Sequence, residues 1–257
     1  MRLTIRIAAD ALRFAVGAPK DPQCFVMETY KTNNGISVAA NLREAFTSSE
    51  LLQSGYQRTL VLTDTPVLLI PIDEYDAQQQ ETLYHHTFTG LKNAAVEAYV
   101  IPWAHAVAVF GVNKDLKTVL EDHFADIRFM PAGHPVWQHL FKNGAGSIRK
   151  RLYAYFQGAY MEVFCFHQNR FRFYNRFPAE HAHDALYYLL YTWKQLAYDA
   201  DSDELYMVGD MVHKDWLMEK LHQYLRRAHA PNATVTFNRS QAAIPHDATY
   251  DLLALYL

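Results

Sequence analysis

The sequence predicts an α/β protein built from two copies of a βββαβαβ unit. Three observations lead to this prediction. A meander of three alternating segments occurs near the start of the 257-residue chain and again from Arg151, and in both halves a helical segment and a further strand follow it. Gly144 and Gly146 lie between the halves and predict a hinge. Half of the residues are hydrophobic, which is enough to bury a sizeable core.

The first half begins with three segments in which apolar and polar residues alternate, Arg2 to Ala8, Leu12 to Gly17, and Cys24 to Lys31. This period of two indicates strands, and the short separations indicate an antiparallel meander. A helix is predicted from Val38 to Gln53, because Gly55 then interrupts the pattern, and a strand from Arg58 to Thr63 follows it.

Extra segments then interrupt the first unit. They are a strand Val67 to Ile72, a helix near Ala77 to His86, a hairpin of Val96 to Ile101 with Ala106 to Val112, a helix Lys114 to Phe124, a strand Ile127 to Met130 and a short helix Pro135 to Phe141. We interpret residues 71–111 approximately as an inserted subdomain, and the helix and strand from Lys114 to Met130 as a return to the main sheet.

The second half repeats the order of the first. Its predicted elements are strands Arg151 to Phe156, Tyr160 to His167 and Phe171 to Phe177, a helix Ala179 to Tyr198, a strand Glu204 to Val208, a helix Lys214 to Ala228 and a strand Ala233 to Phe237. The sequence therefore predicts one domain over residues 1–146 and a second over residues 147–257.

The long helix of the second half is rich in tyrosine. Its apolar residues recur at helical spacing and predict a stripe that packs on the sheet, namely Ala182, Leu186, Leu189, Leu190, Trp193 and Leu196. Tyr187, Tyr188 and Tyr191 broaden this stripe, so we expect the helix to be buried between the sheet and a second layer. The alternative is that these tyrosines form an exposed binding surface.

Composition excludes several classes of protein. The 24 Lys and Arg residues are balanced by 27 Asp and Glu residues, which disfavours binding to nucleic acid. No apolar run reaches the roughly 20 residues of a membrane span. With only Cys24 and Cys165, in separate strands, we expect two reduced, buried thiols and a cytoplasmic location.

Common catalytic motifs are missing from the sequence. It contains neither a phosphate loop of the Gly-x-x-x-x-Gly-Lys type nor a Gly-x-Ser-x-Gly nucleophile turn. The 13 histidines offer no ready pair of metal ligands, since neighbours such as His181 and His183 point to different sides of their helix. We therefore predict no metal site.

The stretch "YNRFPAEHAHDALYYLLYTWKQLAYDADSDELYMVGDM" resembles the signature of a bacterial domain family of unknown function with an actin-like ATPase fold. The tandem βββαβαβ order is similar to that fold in outline, including its type IV pilus assembly and cell-division relatives. The resemblance implies two RNase H-like units, with an inserted subdomain in the first, and a nucleotide cleft between them.

That resemblance locates three turns that would hold the phosphates of a nucleotide. In this superfamily a turn with Asp and Gly follows the first strand of each half, and paired glycines follow the fourth strand of the second half. Here the first turn has Asp10 without a glycine, the second has Gly158 without an acid, and the third has only Gly209 before Asp210. The alternative is that Asp10, Gly158 and Gly209 are ordinary turn residues.

Three hypotheses about function follow. The first is a non-catalytic scaffold or adaptor with a degenerate nucleotide cleft and no cofactor, which binds a protein partner or a second copy of itself. The second is an ATP-binding enzyme or switch, ATPase or kinase-like, that holds ATP and magnesium with nonstandard residues. The third is a protein that binds another small ligand in the crevice between its domains.

Overall fold

The computed structural model describes residues 2–18, 21–144, 146–237 and 245–256. The chain forms two compact units. The first comprises Met1–His134 and Gln241–Leu257, and the second comprises Pro135–Ser240. The side chains at positions 18, 21–24, 234 and 235 are outside the described part, so the predicted buried thiol of Cys24 is outside it as well.

The first unit contains two sheets and their helices. In chain order its elements are β1 (Leu3–Ile7), β2 (Ala11–Ala18), β3 (Asp21–Lys31), α1 (Val38–Ser48), α2 (Glu50–Gln53), β4 (Arg58–Thr63), β5 (Val67–Pro71), a 3₁₀ turn (Ile72–Glu74), α3 (Gln80–Thr87), β6 (Ala94–Ile101), a 3₁₀ turn (Pro102–Ala104), β7 (Ala106–Asn113), α4 (Lys114–His123), β8 (Asp126–Pro131) and α9 (Tyr250–Tyr256).

The main sheet of the first unit has the strand order β3-β2-β1-β4-β8. β1 pairs antiparallel with β2 and parallel with β4, and β4 pairs parallel with β8. All five residues of β1 are buried, and Leu42 of α1 and Leu120 of α4 are fully buried in the adjoining core. The predicted return from Lys114 to Met130 is therefore confirmed, because β8 completes this sheet.

The predicted helix from Val38 to Gln53 is in fact two helices. Ser49 ends α1 and begins α2, since its hydroxyl oxygen accepts a hydrogen bond from the backbone N–H of Leu52. The same hydroxyl donates to the carboxylate of Glu28 at 2.5 Å. This capping contact satisfies an N–H group at the start of α2 and interrupts the longer helix.

The extra material of the first unit forms a separate three-stranded sheet with the order β5-β7-β6. Tyr84 of α3 is fully buried against Val107 and Val109, and its hydroxyl donates to the carbonyl oxygen of Pro66. This sheet and α3 extend from Val67 to Asn113, slightly beyond the predicted limits of 71–111.

The end of the chain packs on the first unit, although the sequence predicts residues 147–257 as the second domain. The guanidinium of Arg6 in β1 donates to the carboxylate of Asp251 in α9 at 2.6 Å, and both side chains are buried. The hydroxyls of Thr4 and Tyr256 are 2.7 Å apart. These contacts explain why Gln241–Leu257 belongs to the first compact unit and not to the second. The compact units also differ from the predicted halves in that the second unit begins at Pro135.

The second unit repeats the topology of the main sheet. In chain order its elements are α5 (His134–Gly144), β9 (Arg151–Gln157), β10 (Tyr160–His167), β11 (Arg170–Pro178), α6 (Ala182–Gln195), β12 (Glu204–Gly209), α7 (Lys214–His222), β13 (Ala228–His229) and α8 (Ala233–Thr236).

The sheet order of the second unit, β11-β10-β9-β12-β13, matches β3-β2-β1-β4-β8 position by position. β9 pairs antiparallel with β10 and parallel with β12, as β1 does with β2 and β4. The predicted duplication of a βββαβαβ unit is therefore confirmed.

The last predicted strand, Ala233 to Phe237, is wrong. Residues Ala233–Thr236 form α8, and the fifth strand of the sheet is the two-residue β13, in which Ala228 pairs with Leu205. The predicted helix from Lys214 to Ala228 accordingly ends at His222, because the chain must turn before it can join β12 as a parallel strand.

Candidate functional site

Asp10 lies in the turn that joins β1 to β2. The turn is closed by the pairing of Ile7 with Leu12. The side chain of Asp10 is 73% exposed, and its carboxylate is 3.5 Å from the guanidinium of Arg13. Ala11 and Leu12, which stand where the superfamily turn has its glycine, begin β2 with buried side chains. The geometry of this turn is that of a strand connection in which an exposed Asp10 pairs with a largely buried Arg13.

Gly158 lies in the corresponding turn of the second unit, between β9 and β10. The pairing of Gln157 with Tyr160 closes this turn, which therefore consists of Gly158 and Ala159. Gly158 has a φ of +56°, and nothing lies within 4 Å of the position that a Cβ would occupy. Glycine is favoured there because the backbone is left-handed, which L side chains rarely adopt.

Gly209 ends β12 and is fixed by a close approach to β9. Its φ is +93°, and a Cβ at this position would overlap the carbonyl oxygen of Phe156. The backbone N–H of Asp210 donates to that same oxygen at 3.2 Å. The contact between two parallel strands therefore explains the glycine without a ligand.

The four predicted site residues lie at equivalent edges of the two sheets. In the second unit β9 and β12 are parallel, so Gly158, Gly209 and Asp210 come together where these strands end. Asp10 follows β1 at the same edge of the first sheet.

The structure adds Asp64, which is not among the residues predicted from the sequence. Its backbone N–H donates to the carbonyl oxygen of Ile7 at 3.2 Å, as that of Asp210 does to Phe156. Aligning the two repeats on "VLTD" and "MVGD" at the ends of β4 and β12 would have identified this equivalence. Each unit therefore has an aspartate directly after its fourth strand.

The candidate thiol and imidazole groups serve in packing. Cys165 is a free, buried cysteine, and burial raises the pKa of its thiol, which makes it a poor nucleophile at neutral pH. His183 packs on Trp216 and His229 packs on Tyr206, with ring centroids 4.3 and 4.8 Å apart. Within the described ranges, no group of three or more His, Cys, Asp or Glu side chains has a geometry that could hold a metal ion.

The tyrosine-rich helix α6 is amphipathic, with an exposed aromatic side. Its predicted stripe faces the core, where Leu189 and Trp193 are buried. The expectation that the tyrosines are buried between two layers is wrong for two of them, since Tyr187 is 62% exposed and Tyr191 is 49% exposed. Their rings stack with centroids 6.0 Å apart.

Two further aromatic rings connect these tyrosines to the sheet. Tyr188 forms an edge contact with Tyr187 and stacks on Phe177 of β11, with centroids 4.6 Å apart. We call Phe177, Tyr187, Tyr188 and Tyr191 the tyrosine face. Stacked rings lose little conformational entropy when a partner covers them, so the face is already arranged for contact.

Strand β11 is an edge strand next to the tyrosine face. It has nine residues and pairs with β10, and no other described strand pairs with it. An edge strand presents backbone N–H and C=O groups that can pair with another chain. The second unit therefore carries an exposed aromatic surface and a strand edge side by side.

None of the described helices has the length and apolar character needed to span a membrane.

Comparison with protein families gave a match over most of the chain. The family model described as "Protein of unknown function (DUF3822)" matches residues 1–228. A search of curated proteins found no match.

Comparison with solved structures identifies the fold. A Bacteroides thetaiotaomicron protein with an actin-like ATPase fold and unknown function is 24% identical to this chain, with a TM-score of 0.84 over 99% of this chain and 95% of that one. A chain of the PilM-PilN type IV pilus biogenesis complex is 11% identical, with a TM-score of 0.57 over 91% of this chain and 89% of that one. The fold described above is therefore the actin-like ATPase fold.

Proposed function

We propose that this chain, which belongs to the DUF3822 family and has the actin-like ATPase fold, is a non-catalytic scaffold or adaptor that binds a protein partner. The observation that carries this proposal is the exposed tyrosine face beside the free edge of β11. Aromatic side chains are enriched at protein interfaces, and they contribute a large share of binding energy when a partner buries them.

The turns that would hold a nucleotide support the same proposal. Asp10 is engaged with Arg13, while the side chains of Ala11 and Leu12 are buried. Gly209 is explained by its approach to Phe156. Phosphoryl transfer depends on positioned backbone amides and metal-binding carboxylates, so losing these elements removes most of what catalysis needs.

The structural neighbours are compatible with a role in protein assembly. One of them is part of the PilM-PilN type IV pilus biogenesis complex, an association of two proteins. Its fold is shared by this chain, and we propose by analogy that this chain also acts through association.

The first experiment measures nucleotide binding by thermal shift with magnesium and ATP, ADP or GTP. A ligand at about 100 times its dissociation constant would add about 2.7 kcal/mol of stability, which such an assay detects easily. We expect no saturable shift. A shift that disappears in Asp10→Ala or Asp210→Ala would contradict the scaffold and support an ATP-binding switch. These variants are preferred to Gly209→Val, which would destabilise the strand contact itself.

The second experiment tests the tyrosine face by capture of partners from the native cell. We expect the unchanged protein to retain a recurrent protein and the double variant Tyr187→Ser, Tyr191→Ser to lose it. Tyr224→Ser is the matched control, because Tyr224 is 58% exposed in the same unit but lies outside the tyrosine face. Light scattering after size exclusion would show whether that partner is a second copy. Equal capture by all three proteins would refute the role of this face.

A further inference from the structure

A pocket of about 700 Å³ lies in the second unit, at the end of the sheet where β9 begins. This is within the size range of pockets for small organic ligands. β9 runs for seven residues from Arg151, which lines the pocket, to Gln157 beside the Gly158 turn. At about 3.3 Å per residue, the pocket is therefore about 20 Å from the candidate nucleotide turns.

One side of the pocket is basic. Arg149, Lys150, Arg151 and Arg172 line it, and no Asp or Glu does. Glu204 pairs with Arg151 at 2.7 Å and with Arg149 at 3.4 Å from outside the lining. One carboxylate thus offsets two guanidinium groups, and the lining keeps a positive balance.

Lys150 and Arg172 carry most of that balance. The Nζ of Lys150 is 3.5 Å from the carbonyl oxygen of Ala197 and 5.8 Å from the centre of the Tyr198 ring. Hydrogen bonds from Ser202 are the main cause of the lowered pKa of the Asp199 carboxyl, and the charge of Lys150 lowers that pKa further. Arg172 is exposed and forms no ion pair with any residue that the structure describes. Both cations are available to an anion.

The other side of the pocket is apolar and largely aromatic. Tyr153, Phe166 and Phe141 form a continuous row, with successive ring centroids 5.8 and 5.2 Å apart. Leu196 also lines the pocket, and the side chain of Ile148 at its border is fully exposed. A ligand with an apolar body would cover this surface, which is a favourable change.

Contacts behind the lining hold the pocket in shape. Arg151 is fixed by Glu204 and by a bond to the carbonyl oxygen of Asn143, while the hydroxyl of Tyr198 donates to the carbonyl oxygen of Arg151. Gly144 allows the hydroxyl of Tyr153 to approach, since a Cβ there would overlap it. The aromatic row and Arg151 are therefore positioned before any ligand arrives.

From this juxtaposition we infer that the pocket binds a small organic anion, with a phosphate or carboxylate group on a flat apolar body. The anionic group contacts Lys150 and Arg172, and the apolar body lies on the row of Tyr153, Phe166 and Phe141. Charge-assisted hydrogen bonds and aromatic contact act together here, so neither part alone binds as well. This inference is independent of the proposed scaffold function.

Isothermal titration calorimetry with three aromatic probes and inorganic phosphate tests the inference. Phenyl phosphate and benzoate carry the anion on a ring, and benzyl alcohol carries the ring without a charge. We expect saturable binding of at least one aromatic anion, weakened by added salt, and much weaker binding of benzyl alcohol and of inorganic phosphate. The comparison of phenyl phosphate with benzoate distinguishes the two anionic groups.

Variants assign the binding to this pocket. Arg172→Gln and Lys150→Gln should each weaken it by about tenfold or more, the usual loss for one charged hydrogen bond. Lys194→Gln, which removes an exposed cation of α6 outside the pocket, should leave it unchanged. Arg151 is not replaced, because that would deprive the buried Glu204 of its closer partner and leave it only the 3.4 Å contact with Arg149. Circular dichroism confirms that each variant is folded.

The absence of saturable binding for all aromatic anions would overturn the inference. So would binding that survives both Arg172→Gln and Lys150→Gln unchanged, or binding that Lys194→Gln weakens equally, since the effect would then be one of general charge. A thermal shift with ATP that is lost in Arg172→Gln and retained in Asp10→Ala would support the pocket, with the nucleotide as its organic anion.

Discussion

The buried ion pair between Arg6 and Asp251 should hold the C-terminal helix α9 on the first unit. The Arg6 side chain is 2% exposed, the Asp251 side chain is fully buried, and their atoms are 2.6 Å apart. Asp251 also accepts hydrogen bonds from the Thr249 hydroxyl and from the backbone N–H of Leu252. Replacing Asp251 by Ala would leave the Arg6 charge buried without this carboxylate.

Removing one partner of a buried pair typically costs about 3–5 kcal/mol. We therefore expect Asp251→Ala to lower the stability of the first unit by that amount. The double variant Arg6→Met, Asp251→Leu should recover much of the loss, because apolar side chains of similar volume avoid the cost of burying charge. Asp247→Ala is the control, since Asp247 is exposed and its carboxylate accepts one hydrogen bond from Thr29. It should cost about 1 kcal/mol or less.

Hydrogen exchange measured by mass spectrometry gives the required resolution, because two compact units need not unfold together. Exchange of amides in β1 and β4 should accelerate by about 10²-fold or more in Asp251→Ala, because a loss of about 1.4 kcal/mol in stability corresponds to a factor of ten in the exchange rate. Amides of β9 and β12 provide an internal reference. Equal acceleration in both units, or a loss below about 1 kcal/mol, would show that this ion pair does not anchor α9.

Two further predictions concern the second unit. Gly209→Ala should destabilise it by at least about 2 kcal/mol in chemical denaturation, because the left-handed backbone disfavours a side chain and the Cβ would overlap the carbonyl oxygen of Phe156. Gly158→Ala should cost only about 1 kcal/mol, because its backbone is left-handed but no atom lies near the Cβ position. Equal costs for the two variants would contradict the steric argument. Burial acts to raise the pKa of Glu204, but the hydrogen bond and charge of Arg151 outweigh it and leave that pKa lowered. The stability from this pair is thus present above the unfolded pKa of about 4.3 and is lost as the pH falls through the folded pKa. Glu204→Gln should therefore be about 2 kcal/mol less stable than the unchanged protein at pH 7. This difference in stability should shrink towards pH 3. A difference that stays constant over this range would refute the prediction.

Much of the fold could be predicted because its strands carry a local signal. The limits predicted for β4 agree with the structure, and those of β10 do as well, since alternation with a period of two depends only on which face is buried. Local patterns did not reveal where a helix ends. α7 stops at His222 so that Ala228 can join the sheet, which is a requirement of strand pairing and not of helical propensity.

The candidate site could be predicted only in part. The sequence located Asp10, Gly158 and Gly209 in turns, and the structure has Asp10 and Gly158 in turns but Gly209 as the last residue of β12. It could not show that Gly209 is required by the Phe156 carbonyl, because the two residues are on different strands. Exposure of Tyr187 is likewise set by what covers the helix, and the spacing of tyrosines along a chain does not contain that information.

The sequence by itself determined that this protein has two βββαβαβ units, because each strand and helix carries its own periodicity and the order of elements repeats. Only the tertiary structure decided that α9 packs on the first unit, through Arg6 and Asp251, which are 245 positions apart in the chain. It also brought Lys150 and Arg172 to one pocket from two separate segments. Burial periodicity is a local property of the chain, whereas ion pairs and pockets arise only when distant segments meet, so only the folded chain reveals them.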